Sequence, residues 1–164
     1  MHKYLLLFFT LTGLSFPALS NQLYLLEFDL TSGESLIGRG KTTVSKTSHS
    51  WNRGLSRSYL KLRCNKLPSG KTEKLLNTVD LFAGLVIIHE LAGDKINIKV
   101  KYTQVQPRLQ EIRALPKNKC EDMSPIFTSV TDTFTYKAEP QKDVTQPFGN
   151  GMLFRVNIIP LKNL

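Results

Sequence analysis

The chain has 164 residues, 41% of them hydrophobic and 21% charged, with 22 lysines and arginines against 13 acidic residues and a net charge of +9. That length suits one domain with a real core, and with only two cysteines it excludes a mini-protein held by several disulfides. No segment after the first twenty residues is long and apolar enough to expect a membrane-spanning helix.

In chain order, MHKYLLLFFTLTGLSFPALS opens with His2 and Lys3, continues as an apolar run from Tyr4 to about Phe16, and closes with Pro17, Ala18 and Ser20. This is the three-part layout of a secretory signal peptide (1–20), cut after Ser20, which leaves 21–164 as a single domain. Export makes the two cysteines, Cys64 and Cys120, an expected disulfide, and a closed loop of that span stabilises by about 4 kcal/mol in the chain-entropy model. The chain has no Asn-x-Ser/Thr sequon, which favours a bacterial periplasm or surface over a eukaryotic secretory route.

Beyond the leader, a period of two dominates. Leu26, Phe28 and Leu30 alternate with Glu27 and Asp29; Leu60, Leu62 and Cys64 alternate with Tyr59, Lys61 and Arg63. LVIIHEL (85–91) reads as a strand joined through Gly93-Asp94 to Ile96, Ile98, Val100 and Tyr102. Ile126 to Tyr136 is rich in threonine and aromatics, and Phe154, Val156 and Ile158 alternate with Arg155 and Asn157. Each is a half-buried strand by pattern and composition. RLQEIRAL, between Pro107 and Pro116, predicts one or two helical turns. Turn residues recur at Ser32-Gly33, Pro68-Ser69-Gly70 and Gly149-Asn150-Gly151. The expected fold is all-β: a single antiparallel β-sandwich of about seven to nine strands, Ig-like in general architecture. Lys46–Arg57 and Glu139–Asn150 are the stretches expected to be least ordered.

Three motifs suggest chemistry and fail on inspection. Gly70-Lys71-Thr72 follows a strand, as in a phosphate-binding loop, but the position where the first glycine belongs is Asn65. The stretch reads better as a hairpin turn over Leu67–Lys71. HELAG (89–93) has glycine where a zinc protease has its second histidine, and lies in a strand-like run, so no metal site is expected. No Gly-x-Ser-x-Gly elbow is present, no carboxylate pair stands out, and Cys64 has an inward phase that suits a structural role. No catalytic residue and no cofactor are expected.

The outstanding feature is charge distribution. From Gly38 to Lys74 ten basic residues face one acid, Glu73, so this stretch alone carries +9. The candidate binding residues are Arg39, Lys41, Lys46, Trp51, Arg53, Arg57, Tyr59, Lys61, Arg63, Lys66 and Lys71. Arg39 and Lys41 share a strand phase, as do Lys61, Arg63 and Tyr59. If their strands are neighbours, they form one basic face, with Trp51 in the loop between. Such a face attracts anions at long range, and arginine grips phosphate or carboxylate in bidentate fashion. Trp51 and Tyr59 are of the type that stacks on bases, but no RNA-binding signature and no groove-reading helix accompany them, so nucleic acid is not the expected partner.

The expected function is therefore a non-enzymatic exported β-domain, periplasmic or on the surface. It would dock on a cell-envelope assembly such as a pilus or secretion machine, where exposed strand edges suit strand addition. Alternatively it would bind an anionic glycan or lipopolysaccharide. A secreted binder or inhibitor of an acidic target is a further alternative, and a fimbrial or pilus-like subunit another. Export, size, one cysteine pair and the alternating C-terminal GMLFRVNIIPL give a layout similar to chaperone–usher pilus subunits. Lys162-Asn163-Leu164 lacks the aromatic residue such subunits carry next to the end, and the cysteines are widely spaced, so the chain is not assigned to them.

Overall fold

Alternating apolar and polar residues cover one face of a strand, and eight strands follow that pattern in the computed structural model, which describes residues 23–116 and 119–161. The expected signal segment lies outside the described residues. The order is β1 (Leu23–Ser32), β2 (Ser35–Val44), β3 (His49–Lys66), β4 (Thr72–Ala92), β5 (Lys95–Gln106), a short helix α1 (Leu109–Ala114), β6 (Ile126–Lys137), β7 (Gln141–Phe148) and β8 (Met152–Leu161). Helix α1 stops where Leu115 turns extended ahead of Pro116, a residue that disfavours helical backbone before it.

Two antiparallel four-stranded sheets result, ordered β2-β1-β8-β7 and β3-β4-β5-β6, so the expected sandwich is what forms. Its connectivity is not the interleaved Greek key of immunoglobulin domains. The second sheet is a plain meander, while β1 and β8 pair at the centre of the first. Pro147 is tolerated because β7 is an edge strand.

The core lies between the sheets. Tyr24, Leu26, Phe28 and Leu30 of β1, with Phe154, Val156 and Ile158 of β8, face Leu85 and Ile87 of β4 and Ile96, Ile98 and Val100 of β5. Each fully buried side chain of this kind contributes roughly 1.5–3 kcal/mol. Phe154 stacks on Phe134 with ring centroids 5.4 Å apart and meets Phe28 at 6.2 Å, which ties the layers together.

Two stretches expected to be irregular are strands. Lys46–Arg57 contains the start of β3, and Glu139–Asn150 contains β7. Their polar, turn-rich composition is overridden by pairing with β4 and β8. The runs LLNTVDLF and LVIIHEL are one strand, because β4 continues through Ala83 and Gly84 without a break. The consequence for function is a mismatch of length. The strands of the first sheet end together, whereas β3 and β4 run far past them.

Candidate functional site

From Gly54 and Gly84 outward, β3 and β4 leave the sandwich as a two-stranded arm. Their ladder continues in register from Gly54↔Gly84 to Lys66↔Thr72, about 40 Å at roughly 3.3 Å per residue. The tip is the turn expected at Leu67–Lys71: Gly70 N–H donates to the Leu67 carbonyl at 2.9 Å and Leu67 N–H to the Lys71 carbonyl at 2.8 Å. At the base, Gly54 and Gly84 touch backbone to backbone beneath the Phe82 ring, and Gly84 has φ +153°, a conformation glycine alone adopts readily. There β4 parts from β5, whose pairing with it begins only at Gly84↔Thr103.

An isolated two-stranded ribbon is marginal in water. This one is braced by the strap between β5 and β6. Leu62 and Met123 exchange backbone hydrogen bonds of 2.8 and 2.9 Å, and both side chains are buried. Asp122 Oδ1 accepts from Cys64 N–H at 2.7 Å, and Lys74 Nζ donates to the Pro116 carbonyl at 2.9 Å. The disulfide Cys64–Cys120 fastens the strap near the arm's tip, with Cα atoms 5.7 Å apart. Cys64 thus has the structural role its phase implied, but its face turns to the strap and not to the sandwich core.

The candidate residues separate into three groups. The face shared by β2 and β3 does not exist, since the two strands lie in different sheets. Arg39 and Lys41 stand on the outer face of the first sheet, where acids meet them. Lys41 Nζ lies 2.5 Å from Glu27 Oε1, a contact that holds the Glu27 carboxyl below its ordinary range. Arg39 is 3.6 Å from the buried Asp29, which also accepts from the Arg155 guanidinium at 2.6 to 3.3 Å. Hydrogen bonding to Asp29 raises the Arg155 pKa. Two acids thus engage all three cations of this cluster, Arg39, Lys41 and Arg155. Lys46 is exposed in the β2–β3 connection.

Trp51 is not in a loop. It belongs to β3 and turns toward the core, edge-on to Phe28 with centroids 4.8 Å apart. Gly40 makes room for it, since a Cβ there would lie 2.5 Å from the indole. Arg53 stands at the arm's base, its Nη1 3.5 Å from the Arg39 carbonyl.

The third group is brought together. Arg57, Tyr59, Lys61 and Arg63 share one face of β3 along the arm, and Lys66 and Lys71 flank the tip turn. Among the described residues none of these five cations makes an ion pair. From Leu55 to Ala83 the arm holds six basic residues against Glu73 and Asp80. Asp80 lies on the opposite face, where it accepts from Ser58 Oγ at 2.5 Å.

Sequence reasoning missed the apolar column beside these cations. Arg57 faces Leu81, Tyr59 faces Val79 and Arg63 faces Leu75 across the ladder. The column was readable as the odd phase of LLNTVDLFA, which continues the inward phase of Leu85 and Ile87. Between the arm and the β5–β6 hairpin lies a cleft of about 730 Å³, walled by Leu55, Ala83, Gln104 and Ile126. Among the described residues no helix is long and apolar enough to cross a membrane, and no group of His, Cys, Asp and Glu is placed to hold a metal ion. No family model matches the chain, and no curated protein matches it in sequence.

Proposed function

We propose that the protein is a non-enzymatic binding module of the bacterial cell envelope, exported and then engaged with an anionic partner through the β3–β4 arm. The observation that supports this reading is the arm itself. A disulfide-fastened ribbon projects beyond the hydrophobic core and carries Arg57, Lys61 and Arg63 on one face with no acid paired to them among the described residues. A solvated face that only raises solubility needs no brace, whereas a ribbon held rigid loses less entropy on binding. The disulfide suits an oxidising compartment. A fibre subunit completed by a donated strand needs a gap in a sheet. Here β8 is already paired with both β1 and β7, so that alternative is not adopted.

Heparin chromatography of the exported form tests the reading. Lys61→Glu with Arg63→Glu should move elution to much lower salt without altering the melting temperature, because both positions lie outside the core. Lys95→Glu with Lys99→Glu changes net charge equally on exposed positions of β5 and should move it far less. Equal shifts for the two pairs would mean that only overall charge matters, and the arm reading would be lost.

A further inference from the structure

We infer that the free edge of β4, from Thr72 to Ala83, accepts an extended acidic segment of a partner protein as an added antiparallel strand. This rests on the arm being the anion-binding element, and it specifies the partner as polypeptide and the contact as backbone pairing.

The edge comes first. One side of β4 is paired with β3 along its whole length, but the other side is paired with β5 only from Gly84 to Ala92. From Thr72 to Ala83 that side has no backbone partner among the described residues. A long open edge is a template for another strand unless it is blunted. No proline interrupts it; the strap crosses the arm on the face of Leu62 and Cys64, meets β4 through the Lys74 ammonium, and reaches the far edge, that of β3.

Antiparallel geometry then says which groups are on offer. Residues on a strand direct their N–H and C=O alternately to the two edges. Leu62 spends both on Met123, away from β4. Its ladder neighbours Lys61 and Arg63 therefore bond to Asn77 and Leu75, and Leu76, Thr78, Asp80 and Phe82 direct theirs to the open side. The other end of β4 agrees: Leu91, of the odd parity, donates to the Ser45 carbonyl at 2.8 Å on the β3 side.

Side chains define the occupant. An incoming strand lies about 10 Å from β3, two strand spacings away. Arginine and glutamate side chains bridge that distance over the low ridge of Leu75, Val79 and Leu81. Alternate residues of the incoming strand thus meet Arg57, Lys61 and Arg63 on one face, and the residues between them meet Leu76 and Phe82 on the other. Leu76 is 59% exposed, and Leu55 and Ile126, beside the cleft, are 57% and 50% exposed. The fitting sequence alternates acid with apolar residue. A second copy of this chain brings a second cationic arm and is disfavoured by charge. An anionic glycan satisfies the arginines and leaves the edge open.

Three ten-residue peptides decide the matter on the exported, oxidised protein: alternating Glu-Val, the same peptide N-methylated at each valine, and the same N-methylated at each glutamate. In antiparallel addition the residues that bond to β4 are those whose side chains lie with Leu76 and Phe82, here the valines. Fluorescence anisotropy should show the valine-methylated peptide binding at least about tenfold more weakly, and the glutamate-methylated one matching the parent. Amide exchange should slow at Leu76, Thr78, Asp80 and Phe82 when the parent peptide binds. Thr78→Pro removes an edge donor without removing a ladder bond and should weaken peptide binding while heparin retention persists; if that variant misfolds, the methylated peptides on the native protein still decide. Equal binding of all three peptides, or loss on glutamate methylation alone, overturns the inference and leaves the anion-binding reading intact. Concentration-dependent protection of the same amides without peptide would identify a second copy as the occupant and overturn it too. Failure to bind both peptide and heparin removes both readings.

Discussion

His89 is the one residue of β4 whose chemistry departs from its position. It occupies the inward phase between Ile87 and Leu91 and is 1% exposed. Its Nε2 lies 3.0 Å from Thr42 Oγ1, its Nδ1 has no hydrogen-bond partner among the described residues, and the His49 ring stands 6.3 Å away. Desolvation, then the charge of His49, pushes its pKa below the ordinary 6.5. The folded state thus resists a proton that the unfolded chain accepts, so stability is fully present above about pH 6.5 and declines as pH falls through the window between the two pKa values. The carboxylates held down by partners, Glu27 and Glu111, act in a lower window, below 4.5. Thermal melts should therefore be level from about pH 8 to 7 and should decline as pH falls below about 6.5, ahead of the carboxylate window. His89→Leu should flatten that decline; an unchanged slope in the variant would remove His89 as its cause.

At the scale of elements, the arm depends on its brace. Its ladder has neighbours on neither edge over most of its length, and the Leu62–Met123 contact is the only buried apolar packing on it among the described residues. A disulfide spanning 56 residues stabilises by about 4 kcal/mol in the chain-entropy model, close to a thousandfold in an opening equilibrium. Replacing Cys64 and Cys120 by serine should speed amide exchange at arm positions such as Lys61 and Arg63 by up to about that factor. Ile98 and Val156, at the centres of the two sheets, should keep their protection. Equal loss at all four positions would show the disulfide to be a staple of the whole fold. The tip turn and the strand phases were legible in the sequence because each depends on local chemistry: Ile96, Ile98 and Val100 point inward as their spacing requires; the cysteine pair was legible because the chain has only two cysteines. What was not legible is assignment between sheets. Arg39 and Lys61 carry the same pattern, and nothing local says that Asp29 and Arg155, distant in sequence, gather beside one and not the other. Trp51 was misplaced for a related reason: the space for it is made by Gly40 on another strand.

For the whole molecule, core and arm are built from disjoint parts of the chain. None of the residues forming the core cluster lies between Leu55 and Ala83, while six of the cations do. The sandwich should then fold without the arm. Leu55↔Ala83 is an aligned pair of the odd, hydrogen-bonded parity, the kind of pair that a two-residue Asn-Gly turn closes. Deleting Ser56 to Phe82, joining Leu55 to Ala83 through Asn-Gly and changing Cys120 to serine gives a protein that should keep a cooperative melt and a β-sheet spectrum, with a melting temperature within several degrees of the native one. Heparin retention should be lost with it, since the deletion removes six clustered basic residues and halves the net charge of residues 21–164 from +8 to +4. Retention that survives the deletion would shift the binding surface to the sandwich, where Arg39 and Lys41 are already matched by Glu27 and Asp29. Loss of the cooperative melt would show that the overhanging ribbon is needed to hold β3 against β4 even within the layered region, and the division between a stabilising body and a binding limb would fall.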